Sequence, residues 1–232
     1  MIEIANISVV RNGAAPALDS VSFGVGRGAR CAVLGANGAG KTTLLQSIMG
    51  LLPLSAGEIF VDKIRVERRN APLIRRKAAL VFQNPDDQLF FPTVVEDVMF
   101  GLLNRGESEE SARARAEKLL ADFDIPHLAE RRPQELSDGE KKKAAICSAL
   151  ACSPDVLLLD EPSALLDPRS RRECARLLAG LPQTVLLSTH DLDFAAKTCP
   201  YSAVLAKGKL AAFGNTAEIL GNEKLLADAF LM

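Results

Sequence analysis

The stretch Gly35-Ala36-Asn37-Gly38-Ala39-Gly40-Lys41-Thr42 fits the pattern G-x-x-x-x-G-K-[ST], and it constrains the fold more than any other feature of the chain. Such a loop works only between a strand and a helix. Arg30 to Leu34 supplies a short apolar strand, and Thr42 to Met49 supplies a helix with Leu44, Leu45 and Ile48 on one side. Glycines let the backbone turn close around a bound group without Cβ clashes, while the helix start points unpaired N–H groups and its positive dipole end at the same point. An anion, and a phosphate above all, is what such a cradle holds. The candidate phosphate-binding residues are Gly35, Asn37, Gly38, Ala39, Gly40, Lys41, Thr42 and Thr43, with Lys41 reaching β and γ phosphates and Thr42 offering its hydroxyl to Mg²⁺.

The rest of the sequence alternates strands with helices, which predicts an α/β layered sheet. Ile2, Ile4 and Ile7, then Val21, Phe23 and Val25, read as two strands with period-two alternation, and Glu58 to Val61 as another. Ala78 to Phe82, Val156 to Leu159 and Val185 to Leu187 are apolar runs of the kind buried on both faces of a parallel sheet. The basic segment Arg65 to Lys77 reads as a solvated face. From about 84 to 132 the pattern turns helical: Thr93 and Glu96 make a capping box, and Ser108 starts a second helix with Glu109 and Glu110 in its first turn. A helical lobe at 84–132, set on a core lobe of 1–83 and 133–232, is the expected organisation. Late in the chain come a hairpin turning at Lys207-Gly208 and two short helices.

Asp160 and Glu161 follow a buried strand directly, at the sheet edge where open α/β folds bind ligands. Asp160 would help to hold Mg²⁺, and Glu161 would orient or deprotonate a water attacking the γ-phosphorus. Gln83 and His190 also stand at strand ends, and the His190 imidazole could donate to a γ-phosphate oxygen or position that water. Composition narrows the partners. The formal net charge of −1 gives no electrostatic case for nucleic acid. No apolar run approaches the roughly 18 residues needed to cross a bilayer, and Met1-Ile2-Glu3-Ile4 resembles no secretion signal. The five cysteines, odd in number and without a C-x-x-C pair, are expected to be free thiols.

Taken in order, Gly35 to Thr42, Gln83, Leu136 to Glu140, Val156 to Glu161, Ser163 to Asp167 and His190 resemble the nucleotide-binding subunit of an ATP-binding cassette transporter over essentially the whole chain. The resemblance implies a P-loop NTPase core with a mostly parallel sheet, an N-terminal antiparallel β subdomain and an α-helical subdomain. It implies ATP and Mg²⁺ as ligands and ATP hydrolysis as the activity. Gln83 would then sense Mg²⁺ and the membrane partner, and Ser163 and Asp167 would lie in a loop crossing a dimer interface. Ser137, Asp138, Gly139 and Glu140 would form the signature that faces the γ-phosphate held by the other subunit. Arg11 stands nearest the position where family members often stack an aromatic ring on adenine.

The run Phe82 to Phe90, followed by Pro92-Thr93-Val94 and Glu96-Asp97-Val98, is similar to the ATPases of energy-coupling factor importers, which take up vitamins or cobalt and nickel ions. That similarity implies a homodimer or a heterodimer with a sister ATPase, a transmembrane coupling subunit, a substrate-binding membrane subunit, and a place on the cytoplasmic face of the cell membrane. Leu89-Phe90-Phe91 is either a groove wall for a partner helix or core of the helical lobe. The alternatives are a soluble iron–sulfur assembly ATPase and a biotin-type importer. Asp138 and Glu140 replace the family's usual Gly and Gln, so weaker closure on a triphosphate is expected.

Overall fold

The computed structural model describes residues 1–10, 16–229 and 231; Arg11, read above as a base-stacking residue, lies outside them. Strands β1 (Ile2–Val9) and β2 (Leu18–Val25) pair antiparallel, and β3 (Arg30–Leu34) leads into helix α1 (Lys41–Ile48). Next come β4 (Ala56–Val61), the two-residue β5 (Ile64–Arg65), α2 (Ala71–Lys77) and β6 (Ala78–Val81). Helices α3 (Val94–Leu103), α4 (Glu109–Asp122) and α5 (Asp138–Ala151) follow, then β7 (Val156–Leu159), α6 (Pro168–Gly180), β8 (Thr184–Thr189) and α7 (Leu192–Thr198). The hairpin β9 (Tyr201–Ala206) and β10 (Lys209–Asn215) and the short α8 (Thr216–Leu220) and α9 (Glu223–Asp228) complete the described fold.

Two sheets result. The first, in the order β2-β1-β4-β5, is antiparallel. The second, β10-β9-β3-β8-β7-β6, is parallel except for β10 at its edge. Helix α1 lies between them: Leu44, Leu45 and Ile48 share one core with Ile2, Val21 and Ile59 of the first sheet and with Cys31, Val33, Val156, Leu158 and Leu186 of the second. The opposite face of the parallel sheet carries the alternate residues Ala32, Leu34, Leu157, Leu159, Val185 and Leu187, covered by α3 to α7. That division by parity explains why β7 and β8 are unbroken apolar runs: each side chain meets a different packed layer. Full burial of each Leu or Ile in α1 contributes about 1.5–3 kcal/mol.

The basic segment hides a helix. Ala71 and Ile74 of α2 are buried, while Arg75 and Arg76 point outward, so the solvated face is the outer side of two helical turns. Seven residues with two buried positions carry too little periodicity to be read as a helix in advance. The Leu89-Phe90-Phe91 group divides in the same manner. Leu89 is 3% exposed and Phe90 is 65% exposed. Asp97 accepts hydrogen bonds from the backbone N–H groups of Phe90 and Phe91 at 3.0 and 3.2 Å, turning the chain so that the rings of Phe90, Phe91 and Phe100 cluster on the surface. The cysteines are free, and burial pushes the Cys31 and Cys174 thiols up to about 12, leaving them inert.

Candidate functional site: a phosphate loop at the carboxyl edge of the sheet

Two glycines make the loop possible. Gly40 caps α1 at φ 103°, and a Cβ there would lie 2.6 Å from the Ala17 carbonyl oxygen; at Gly35 a Cβ would lie 2.6 Å from that of Leu205. No side chain caps α1 and no acidic residue occupies its first turn, so its first N–H groups are left without a side-chain acceptor from the helix itself. A cavity of about 440 Å³ opens there, lined by Asn37 to Thr43 together with Gln83, Glu161 and His190. Gly35, read above as a phosphate-binding residue, is not among its lining residues.

Lys41 is 6% exposed and ties the loop to the next strand edge. Its Nζ donates to the carbonyl oxygens of Gly35 (2.7 Å) and Ala36 (3.2 Å) and lies 3.0 Å from Glu161 Oε1. The other carboxylate oxygen, Oε2, is 3.1 Å from His190 Nδ1. Glu161 is thus held on both oxygens by groups that a triphosphate would also attract. Its backbone is in the left-handed region at φ 44°, a conformation that costs an ordinary residue about 1–3 kcal/mol and clusters at functional sites.

Ser188, absent from the reading of the sequence, locks this geometry. Its hydroxyl donates to Asp160 Oδ1 at 2.5 Å and accepts the Glu161 N–H at 2.9 Å, and the residue is fully buried. In the sequence Ser188 is one polar residue near the end of a buried run, and only its facing position across β7 and β8 reveals the role. Ser188→Ala strands a buried N–H and removes a donor from Asp160; it is expected to lower the unfolding free energy by about 1–3 kcal/mol, measured by urea denaturation. An unchanged midpoint would show that Ser188 holds nothing.

A second cavity, of about 310 Å³, adjoins the first and is lined by Thr42, Gln83, Asp160 and Leu165 among others. A hydroxyl, an amide oxygen and a carboxylate form a hard-oxygen set suited to a small divalent cation that keeps waters and phosphate oxygens among its ligands. The described residues hold no group of three or more His, Cys, Asp or Glu side chains placed for a metal.

The Leu136 to Glu140 segment does not line either cavity. Ser137 caps α5, accepting from the Glu140 N–H, and the Glu140 carboxylate accepts from the Ser137 N–H and hydroxyl at 2.9 and 2.6 Å. Those two bonds hold the Glu140 carboxyl below its usual range, so it stays charged. Ser137 and Asp138 are exposed. Gly139 is packed close to α6, where a Cβ would lie 2.7 Å from Ser170 Oγ. Asp167 caps α6 through the N–H groups of Arg169 and Ser170. In the loop before it, Ser163 faces inward, 3.4 Å from Thr189 Oγ1, while Leu165 is 74% exposed.

Known proteins resemble this chain over most of its length. The family described as ABC transporter matches residues 18–164. A Streptomyces avermitilis protein named as an ABC transporter ATP-binding protein is 43% identical over 97% of this chain and 86% of its own length. The energy-coupling factor transporter ATP-binding protein EcfA of Carboxydothermus hydrogenoformans is 42% identical over 97% of this chain and 84% of its own. Among solved structures, cbiO1 from Clostridium perfringens, described as part of the ABC transporter complex cbiONQ, superposes with a TM-score of 0.86 at 32% identity, covering 99% of this chain and 94% of that one. The ATP-binding cassette MJ0796, solved as a dimer bound to ADP and Pi, superposes with a TM-score of 0.83 at 27% identity, covering 93% of this chain and 99% of that one. These likenesses decide against the soluble-assembly alternative. With its phosphate loop, its two sheets and its relatives in agreement, the chain belongs to the ABC transporter family, as an ATP-binding subunit whose hydrolysis of ATP is coupled to transport.

Proposed function

We propose that two copies of this fold, or this chain and a sister ATPase, close head to tail on ATP, and that hydrolysis reopens them to drive an importer of the energy-coupling factor type. The observation that carries the reading is the separation of the two halves of the site: the phosphate loop, Gln83, Glu161 and His190 share a cavity, while Ser137 and the start of α5 stand exposed elsewhere. A helix start draws anions through its positive dipole end, and a partner's γ-phosphate is the anion that closure would bring to the exposed Ser137. The exposed Leu165, beside the cation cavity, offers apolar surface to the same partner.

Each residue then has a task. The loop N–H groups and Lys41 bind the β and γ phosphates, drawing Lys41 from its carbonyl contacts. The set Thr42, Gln83 and Asp160 would hold Mg²⁺, which when bound neutralises the phosphate oxygens. Glu161, released from Lys41, accepts the proton of the attacking water as its oxygen bonds to the γ-phosphorus and the bond to the bridging β–γ oxygen breaks. His190, 59% exposed at its side chain, orients that water or donates to a γ-phosphate oxygen.

The membrane side of the reading rests on the aromatic cluster Phe90, Phe91 and Phe100, which lies just beyond Gln83 and is apolar surface suited to a helix of a transmembrane coupling subunit. Among the described residues no helix is long and apolar enough to cross a membrane, so peripheral attachment at the cytoplasmic face would come through that subunit. A substrate-binding membrane subunit would complete the complex, with a cobalt or nickel ion or a vitamin as cargo. Co-purification of the tagged chain from membranes, with identification of the bound subunits, tests this; recovery with soluble partners alone would overturn it.

Asp138 modifies the picture. It is exposed in the first turn of α5, where its charge favours the helix but would repel the partner's triphosphate. Removing one exposed repulsion of about 0.5–1 kcal/mol is expected to raise ATPase activity at limiting ATP by roughly two- to fivefold in Asp138→Gly. No gain in rate would refute the repulsion.

A further inference from the structure

Lys142 is 2% exposed, and no carboxylate lies within ion-pairing distance of its ammonium among the described residues. It projects from the second turn of α5 and donates to the carbonyl oxygens of Gln83 (2.8 Å) and Phe82 (3.4 Å). Burial lowers its pKa, opposed by Cys174 first and then by the charges of Asp160, Asp138 and Glu161. A buried cation is expensive compared with an apolar side chain of the same length, so space filling does not explain it.

Its position does. The loop leaving β6 is bonded to α5 at several points. The Gln88 side chain accepts from the Phe82 N–H (3.3 Å) and donates to the Ala145 carbonyl (2.7 Å), and Lys141 pairs with Asp86 at 2.8 Å. Asp86 is more than half exposed, which makes the last link weak. Of these groups only Lys142 grips the backbone of Gln83 itself. The result is a rigid connection between the start of α5, at Ser137, and Gln83 at the edge of the phosphate cavity.

We propose that Lys142 is a positioning residue that joins the two nucleotide sites of the closed dimer. This rests on the head-to-tail reading above. In that arrangement Ser137 faces the nucleotide of the partner and Gln83 faces the nucleotide of its own chain. A nucleotide that draws in the start of α5 therefore moves Gln83 at the other site, through the Lys142 ammonium. Filling one site prepares the second, and hydrolysis is cooperative in ATP.

The test is steady-state ATPase activity against ATP concentration for the purified chain, for Lys142→Met and for Lys141→Met, alongside MgATP-dependent dimerisation of Glu161→Gln and of the Lys142→Met/Glu161→Gln double variant. The expected result is a Hill coefficient approaching the limit of about 2 set by two sites in the parent and in Lys141→Met. Lys142→Met is expected near 1, with dimerisation retained in both Glu161→Gln forms. Should Lys142→Met lose its cooperative melting, Lys142→Gln, a shorter neutral donor, is expected to show the same fall. A coefficient equal in parent and Lys142 variants, with dimers formed, overturns the link while leaving the dimer reading intact. Absence of any MgATP-dependent dimer in Glu161→Gln overturns the dimer reading and this inference with it.

Discussion

Glu161→Gln is expected to bind ATP as the parent chain does and to hydrolyse it about 10²–10⁴-fold more slowly, the range set by loss of a positioned general base. The substitution keeps size and one carbonyl oxygen, so Lys41 retains an acceptor at the position it now contacts at 3.0 Å. What is lost is the ability to take a proton from the attacking water. ATP would then hold the closed dimer instead of releasing it, visible as an MgATP-dependent doubling of mass on size exclusion. A rate within tenfold of the parent would remove Glu161 from the proton transfer and leave His190 as the group to test.

The second large effect concerns Lys41. In Lys41→Met the carbonyls of Gly35 and Ala36 lose a donor, and the carboxylate of Glu161, 5% exposed, loses its Lys41 partner and retains His190. Breaking one side of a buried ion pair costs about 3–5 kcal/mol. The partly exposed His190 offsets some of this, so a loss of about 3 kcal/mol is expected, a fall in melting temperature of roughly 6–12 °C for a chain of this size. Nucleotide binding is expected to vanish as well, so that MgATP raises the melting temperature of the parent but not of the variant. Because the stability loss comes from a stranded carboxylate, Lys41→Met/Glu161→Gln should melt above Lys41→Met alone. If the double variant melts lower, the two side chains are not coupled as the 3.0 Å contact requires. ATP stabilising Lys41→Met as strongly as the parent would remove Lys41 from phosphate binding.

These two predictions concern residues that the sequence already marked, and the reason is local. Gly40, Lys41 and Thr42 are adjacent in the chain, and a loop that closes on an anion needs its glycines and its cation within a few residues. Asp160 and Glu161 could be found because a four-residue apolar run ends at a polar pair, and β7 stops there in the structure. The capping boxes at Thr93 and Ser137 were legible for the same reason, since each joins residues three apart.

The sequence by itself therefore determined the layered α/β architecture, the buried strands and the Gly-rich loop between β3 and α1, all of which rest on short-range patterns of apolar alternation, glycine placement and capping. Only the tertiary structure decided that Ser188 fastens Asp160 and Glu161 across β7 and β8, that Lys142 reaches back some 59 positions to the carbonyl of Gln83, and that Leu165 rather than Ser163 faces outward. Each of these joins residues distant in the chain through hydrogen bonds whose partners are fixed by strand order and helix packing. A serine in a buried strand and a lysine in a run of three look ordinary until the fold brings their partners within 3 Å.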